Sequence, residues 1–123
     1  MWRRTHAIRG AISVEENDPR QIAEATQALL GEIVERNHLE HAEISSVFFT
    51  LTPDLDAAFP ALAARQMGWV DVPLLCATEI PVPGSMPRCL RTLLQVELRA
   101  PRLLDTHIYL RDAVALRPDV AAR

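Results

Sequence analysis

Cys76-Ala-Thr-Glu79-Ile-Pro-Val-Pro-Gly-Ser-Met-Pro-Arg88-Cys-Leu-Arg91 is the stretch from which the fold can be read. The apolar run Val72 to Ala77 leads into it and predicts a strand, with Glu79 at its end. Pro81, Pro83, Gly84 and Pro87 then make a turn that can neither form helix nor pair as sheet. A second apolar run, Cys89 to Val96, predicts another strand at once, with Arg91 inside it. Two neighbouring strands thus carry a carboxylate and a guanidinium near one shared loop. An arginine in an apolar strand is costly to bury unless something pairs with it. Two readings stay open on these residues. Arg91 and Glu79 staple the strands as an ion pair, or the rigid loop and its charge make a site for an anion.

Working outward towards the N-terminus, Pro60 starts a short helix, Pro60 to Met67, which Gly68 stops. Arg65 lies on it and, by position alone, reads as an exposed helix residue. Ile44 to Thr52 is strongly β-forming and apolar on both faces at its centre, the pattern of a strand covered on both sides. Before it, Asp18 is a good N-cap, with Pro19 at the first helical position. Ile22, Ala25, Leu29, Leu30, Ile33 and Val34 then recur at helical spacing, so a helix is predicted from about 19 to Asn37. Residues 5–14 alternate, with His6, Ile8, Gly10 and Ile12 on one face and Ala7, Arg9, Ala11 and Ser13 on the other. The alanines leave room beside Arg9, which suits either a pocket wall or an exposed strand face.

Outward in the other direction, Leu98 to Asp105 is a polar connection containing Pro101. His107-Ile-Tyr-Leu110 predicts a short last strand that carries Tyr109, and Asp112 to Leu116 can make one helical turn. Few anchors follow, so a mobile C-terminal tail is expected from about residue 111. The predicted order is β-α-β-α-β-β-β, an α+β fold with a single mixed five-stranded sheet. Two helices cover only one face of such a sheet. The other face needs a further cover, and a symmetric homo-oligomer is the commonest one.

The 123 residues suit one domain, residues 1–123, which buries about two-thirds of its unfolded surface at this size. No apolar run approaches the roughly 20 residues of a membrane helix. Met1-Trp-Arg-Arg-Thr-His6 lacks the long apolar core of a signal peptide, so the cytoplasm is the expected compartment. The net charge of −3 argues against a nucleic-acid partner. All 13 basic residues other than histidine are arginine, so every cationic site is built from the better fork for a carboxylate. The two cysteines, Cys76 and Cys89, match no metal-ligand spacing and read as buried free thiols. His38-x-x-His41 lies in a polar stretch and reads as a solvated turn. No nucleophile–base pair, metal ligand set or phosphate loop is visible.

Several short pieces together resemble one family. Ala7-Ile-Arg-Gly-Ala11, Thr52-Pro-Asp-Leu55, Ala58-Phe-Pro-Ala61, Val72-Pro73, Cys76 with Glu79, Cys89-Leu-Arg91, His107-Ile-Tyr-Leu110 and Leu116-Arg-Pro-Asp119 look like the monofunctional α/β chorismate mutases of the Bacillus type. The match runs through almost the whole chain, in order and at compatible spacing. The resemblance implies a homotrimer packed as a pseudo-α/β barrel, with active sites between subunits. It implies the Claisen rearrangement of chorismate to prephenate, on the shikimate route to aromatic amino acids, without cofactor or covalent intermediate.

It also implies roles. Arg91 would reach the ether oxygen and a carboxylate, Arg9 would bind a carboxylate, and Tyr109 would donate a hydrogen bond to one. Glu79 and the region of Cys76 would take the ring hydroxyl. Phe59, Ala61 and Arg65 would come from the neighbouring subunit, and Leu116 would close over the ring. Leu75, beside the substrate, stands where the family often has a polar residue, and Leu62 where it often has lysine. The rival implication is a trimeric carboxylate-binding or regulatory module without turnover. The convergence of Arg9, Glu79, Arg91 and Tyr109 in one cleft separates the two.

Overall fold

The computed structural model describes residues 2–117. Its strands are β1 (Arg4–Ser13), β2 (Ile44–Leu51), β3 (Leu74–Thr78), β4 (Cys89–Leu98) and β5 (His107–Leu110). Its α-helices are α1 (Pro19–Asn37) and α2 (Pro60–Gln66). The strands form one sheet in the order β3-β2-β4-β1-β5. β4 runs antiparallel to both β1 and β2, whereas β5 is parallel to β1 and β3 is parallel to β2. The sheet is mixed, as the sequence predicts.

Local chemistry sets the helix bounds. The Asp18 carboxylate accepts the Gln21 N–H at 3.0 Å, satisfying a donor that the first turn leaves open. At the other end His38 takes the left-handed conformation, φ 49°, and the Leu39 N–H closes back on the Val34 carbonyl at 3.1 Å. His38 is therefore a helix cap. The ring of His41 contacts Asp71 at 2.7 Å and meets Trp69 edge-on, a partnered position where the sequence suggests a solvated turn.

α1 lays Ile22, Leu29, Leu30 and Ile33 on Ile8, Ile12, Phe49, Leu90 and Leu94, all fully buried or nearly so. Gly10 makes the approach possible. A Cβ there would lie 3.0 Å from the Ile108 carbonyl oxygen and 3.0 Å from a Leu29 methyl. Both helices sit on this one face. On the other face Phe48 is 40% exposed, Leu93 40% and Leu75 59%. The expectation that β2 is covered on both sides thus fails within the single chain, because no element of the described residues lies over β2 on that side.

β4 extends to Leu98, which pairs with Arg4, so the connection before β5 begins later than the polar composition suggests. An ion pair between buried Glu43 and half-buried Arg102 anchors that connection. Arg102 donates to both Glu43 oxygens, at 3.0 and 2.6 Å, and its Nε donates to the Asn37 carbonyl at 3.3 Å. The guanidinium holds the Glu43 carboxyl down at about 2 against the opposing effect of burial. The Asn37 side chain accepts the Asp105 N–H at 2.6 Å, so the end of α1 fixes where β5 starts. Arg111–Leu116 form a 3₁₀ helix with Ala113 buried, and the Asp112 N–H donates to Ser13 Oγ at 3.0 Å. The stretch where the expected tail begins therefore rests on β1; residues 118–123 of that tail lie outside the described residues.

Candidate active site

The register decides which side chains meet. Residues paired across a sheet share a face. Tyr109 pairs with Ala11, Ala11 with Arg91, Arg91 with Thr50 and Thr50 with Ala77. One straight row therefore crosses all five strands, on the face opposite the two α-helices. The next row runs His107, Arg9, Leu93, Phe48, Leu75. Small residues flank the long ones, with Ala11 between Tyr109 and Arg91. The result is a cleft of about 510 Å³, lined by Arg9, Arg91, Tyr109, Thr50, Phe48 and His107 among others. Strands stand ~4.8 Å apart, so two arginines on adjacent strands and a tyrosine one strand further can reach a single small anion.

Glu79 joins this group from just beyond β3. Its N–H donates to the Leu51 carbonyl at 2.7 Å, which continues the β3 pairing. Its carboxylate lies 4.0 Å from Arg91 Nε, too far for a hydrogen bond. Arg91 is 45% exposed and Glu79 29%, so this is no buried staple. Arg9 is exposed and forms no ion pair among the described residues. The cleft therefore holds positive charge without tight neutralisation, beside a phenol that can donate. The Arg91 charge favours the Cys89 thiolate, yet burial dominates and pushes that thiol above its usual range. Cys89 is accordingly an inert part of the buried cluster with Ala11, Tyr109 and Ala113.

The remaining predicted residues divide. Leu75 is on the cleft face, at the β3 edge, and Leu116 packs against the cluster of Ala11, Cys89, Tyr109 and Ala113. Cys76 is one residue out of phase with Leu75. Its side chain faces the helices, half-buried, and lines a second hollow of about 530 Å³ with Phe59, Thr52 and Asp56. This corrects one expectation: the Cys76 thiol is only part-buried, whereas Cys89 is buried as expected. Phe59 is 71% exposed, and Arg65 is exposed on α2. Ala61 is buried in its own subunit's core, so its methyl group is spent on packing. Within one chain, then, Phe59 and Arg65 do not line the arginine cleft.

Sequence reading missed Thr50, Phe48, Thr106 and His107 as cleft residues. Strand alternation from Arg91 and Arg9 points towards them, but only the register says which strands are neighbours. Among the described residues no three His, Cys, Asp or Glu side chains form a group able to hold a metal ion, and no helix is long and apolar enough to cross a membrane.

Comparison with known proteins agrees with this geometry. The family model "Chorismate mutase type I" matches residues 5–120. The chorismate mutase AroH of Thermus thermophilus is 51% identical over 114 residues, which cover 92% of this chain and 93% of that protein. The chorismate mutase AroH of Bacillus subtilis is 38% identical over 115 residues, 93% of this chain and 91% of that protein. The solved chorismate mutase from Clostridium thermocellum superposes with a TM-score of 0.83 at 46% identity, covering 89% of this chain and 98% of its own. An arginine-lined cleft on such a sheet, in a chain matched nearly end to end by these proteins, identifies a member of the type I chorismate mutase family and hence an isomerase, a chorismate mutase.

Proposed function

We propose that the rearrangement of chorismate to prephenate takes place in the cleft of Arg9, Arg91 and Tyr109. The observation that carries this is the pair of cross-strand rows, which bring those three side chains to one open hollow with Glu79 at its edge. In the rearrangement the ether C–O bond breaks as a C–C bond forms, and negative charge builds on the ether oxygen. Arg91 binds that oxygen and a carboxylate. Arg9 and Tyr109 bind the carboxylates and hold the compact, reactive conformer. Glu79 accepts the ring hydroxyl. A pericyclic step of this kind uses no nucleophile, and the raised thiol of Cys89 fits that account. The binding-module alternative gains no observation of its own.

The same reading makes the whole chain one domain that works as a homotrimer. The face opposite the two α-helices exposes Phe48, Leu93 and Leu75 around the cleft, and burying such side chains against a second copy stabilises by about 1.5–3 kcal/mol each at full burial. A neighbouring subunit would bring Phe59 and Arg65 to the rim, the residues this chain cannot supply to its own cleft. The test is loss of the chorismate diene absorbance with purified protein, alongside its mass by light scattering. Turnover by a trimer is expected; a stable monomer with full activity would refute the shared site.

Cys76 acts, in this reading, through its main chain. Val47 N–H bonds the Pro73 carbonyl and Glu79 N–H bonds the Leu51 carbonyl, so odd-numbered residues of β3 face β2. The N–H of Cys76 therefore points from the free edge of the sheet. Cys76→Ser should keep kcat within a few-fold of the parent. Complete loss in a folded trimer would show that the thiol itself takes part.

A further inference from the structure

We propose that Asp54 is a positioning residue for Arg91. The inference rests on the role given to Arg91 above, and the test is chosen to fail separately from it. Asp54 belongs to Thr52-Pro-Asp-Leu55, a piece of sequence to which the site reading assigns no role. It lines neither hollow. Both of its carboxylate oxygens nevertheless accept the Arg88 N–H, at 3.0 and 2.9 Å. Arg88 is a non-glycine residue at φ 45°, the left-handed region that L side chains avoid. It ends the proline loop and immediately precedes β4.

A second route runs through Thr52. Its hydroxyl donates to Asp54 Oδ1 and so presents a lone pair to the Cys89 N–H, which it accepts at 2.9 Å. The Thr52 N–H in turn donates to the Cys89 carbonyl at 3.1 Å. One carboxylate thereby fixes the two residues at which the loop becomes a strand, by a direct bond to residue 88 and a relayed one to residue 89. Arg91 is two residues further along the same strand, on the same face as Cys89. The Arg88 guanidinium adds a bond to the Val14 carbonyl at 3.1 Å, and the Val14 N–H returns one to the Arg88 carbonyl at 2.8 Å. The junction is therefore also tied to β1's end by bonds that do not involve Asp54. What Asp54 alone adds is the angle at which the chain enters β4.

Misplacing a catalytic group by an ångström costs up to ~100-fold in rate. Asp54→Ala should accordingly lower kcat ~10- to 100-fold while KM changes little and the trimer persists. Asp54→Asn keeps one acceptor oxygen and the volume, and should fall between the parent and Asp54→Ala. The decisive measurement is the double variant. Groups that act as a unit are non-additive, so Asp54→Ala placed in an Arg91→Gln background should lower kcat little further. An undiminished loss in that background would overturn the proposal, as would unchanged kcat in both single variants or an equal loss in both. If Asp54→Ala fails to fold, Asp54→Asn carries the same cycle. If Arg91→Gln alone keeps normal kcat, the role of Arg91 fails, whatever Asp54 does.

Discussion

Replacing Arg91 by glutamine is expected to lower kcat by ~10²–10³-fold, the usual loss when one preorganised electrostatic donor is removed. Charge reaches the ether oxygen only as the transition state forms. A cation fixed beside it therefore binds that state better than the substrate, which is what raises kcat. Arg91 is suited to the task because its contact with Glu79, at 4.0 Å, leaves the guanidinium free of a close carboxylate. Citrulline at this position keeps the shape and removes the charge, so it should resemble glutamine. Lysine should recover part of the rate, limited by its lack of a planar fork. Affinity for chorismate should fall less than turnover, since Arg9 and Tyr109 remain in the cleft. Steady-state kcat and a binding constant for each variant decide the matter. Near-normal kcat in Arg91→Gln would contradict the electrostatic mechanism.

Phe48→Asp is expected to release monomers at micromolar concentration and to abolish measurable turnover. Phe48 stands in the row of Arg9, Leu93 and Leu75, half exposed on β2 on the face opposite the two α-helices. An aspartate there forfeits apolar burial and adds the desolvation of a charge, several kcal/mol in each subunit of an assembly. The core is on the other face, so the isolated chain should keep its helical circular dichroism. Light scattering and the activity assay together check this. A trimer that tolerates the aspartate would place the subunit interface elsewhere.

Much of the architecture is legible in the sequence, for local reasons. α1 begins at Pro19 and ends at Asn37 as predicted, because Asp18 caps it and its apolar repeat stops there. The alternation in β1 correctly separates Ile8 and Ile12 from Ala7 and Arg9. The opposite faces of Cys76 and Glu79 are also open to inspection, since residues an odd number apart in a strand point to opposite sides. Family likeness groups the two by role and conceals that count. What local pattern does not carry is register. The parallel pairing of β5 with β1 sets Tyr109 beside Ala11 and brings His107 into the cleft row, and it depends on a connection pinned by Arg102, Glu43 and Asn37. Exposure on the face opposite the two α-helices is equally hidden: the apolar centre of β2 reads the same whether a helix or another subunit covers it.

The alternation of β3 and β4 also fixes the redox chemistry of the chain. Cys76 points to the helical side of the sheet and Cys89 to the cleft side, with β2 between their strands. A disulfide requires Cβ atoms ~3.5–4.5 Å apart and directed at each other. The sheet itself stands between these two, so oxidation cannot join them while the fold is intact. Cys89 is buried and its thiol is held protonated, whereas Cys76 is half-exposed at a sheet edge. Of the two thiols, Cys76 is therefore the one a solvent oxidant is expected to reach first, while Cys89 stays shielded.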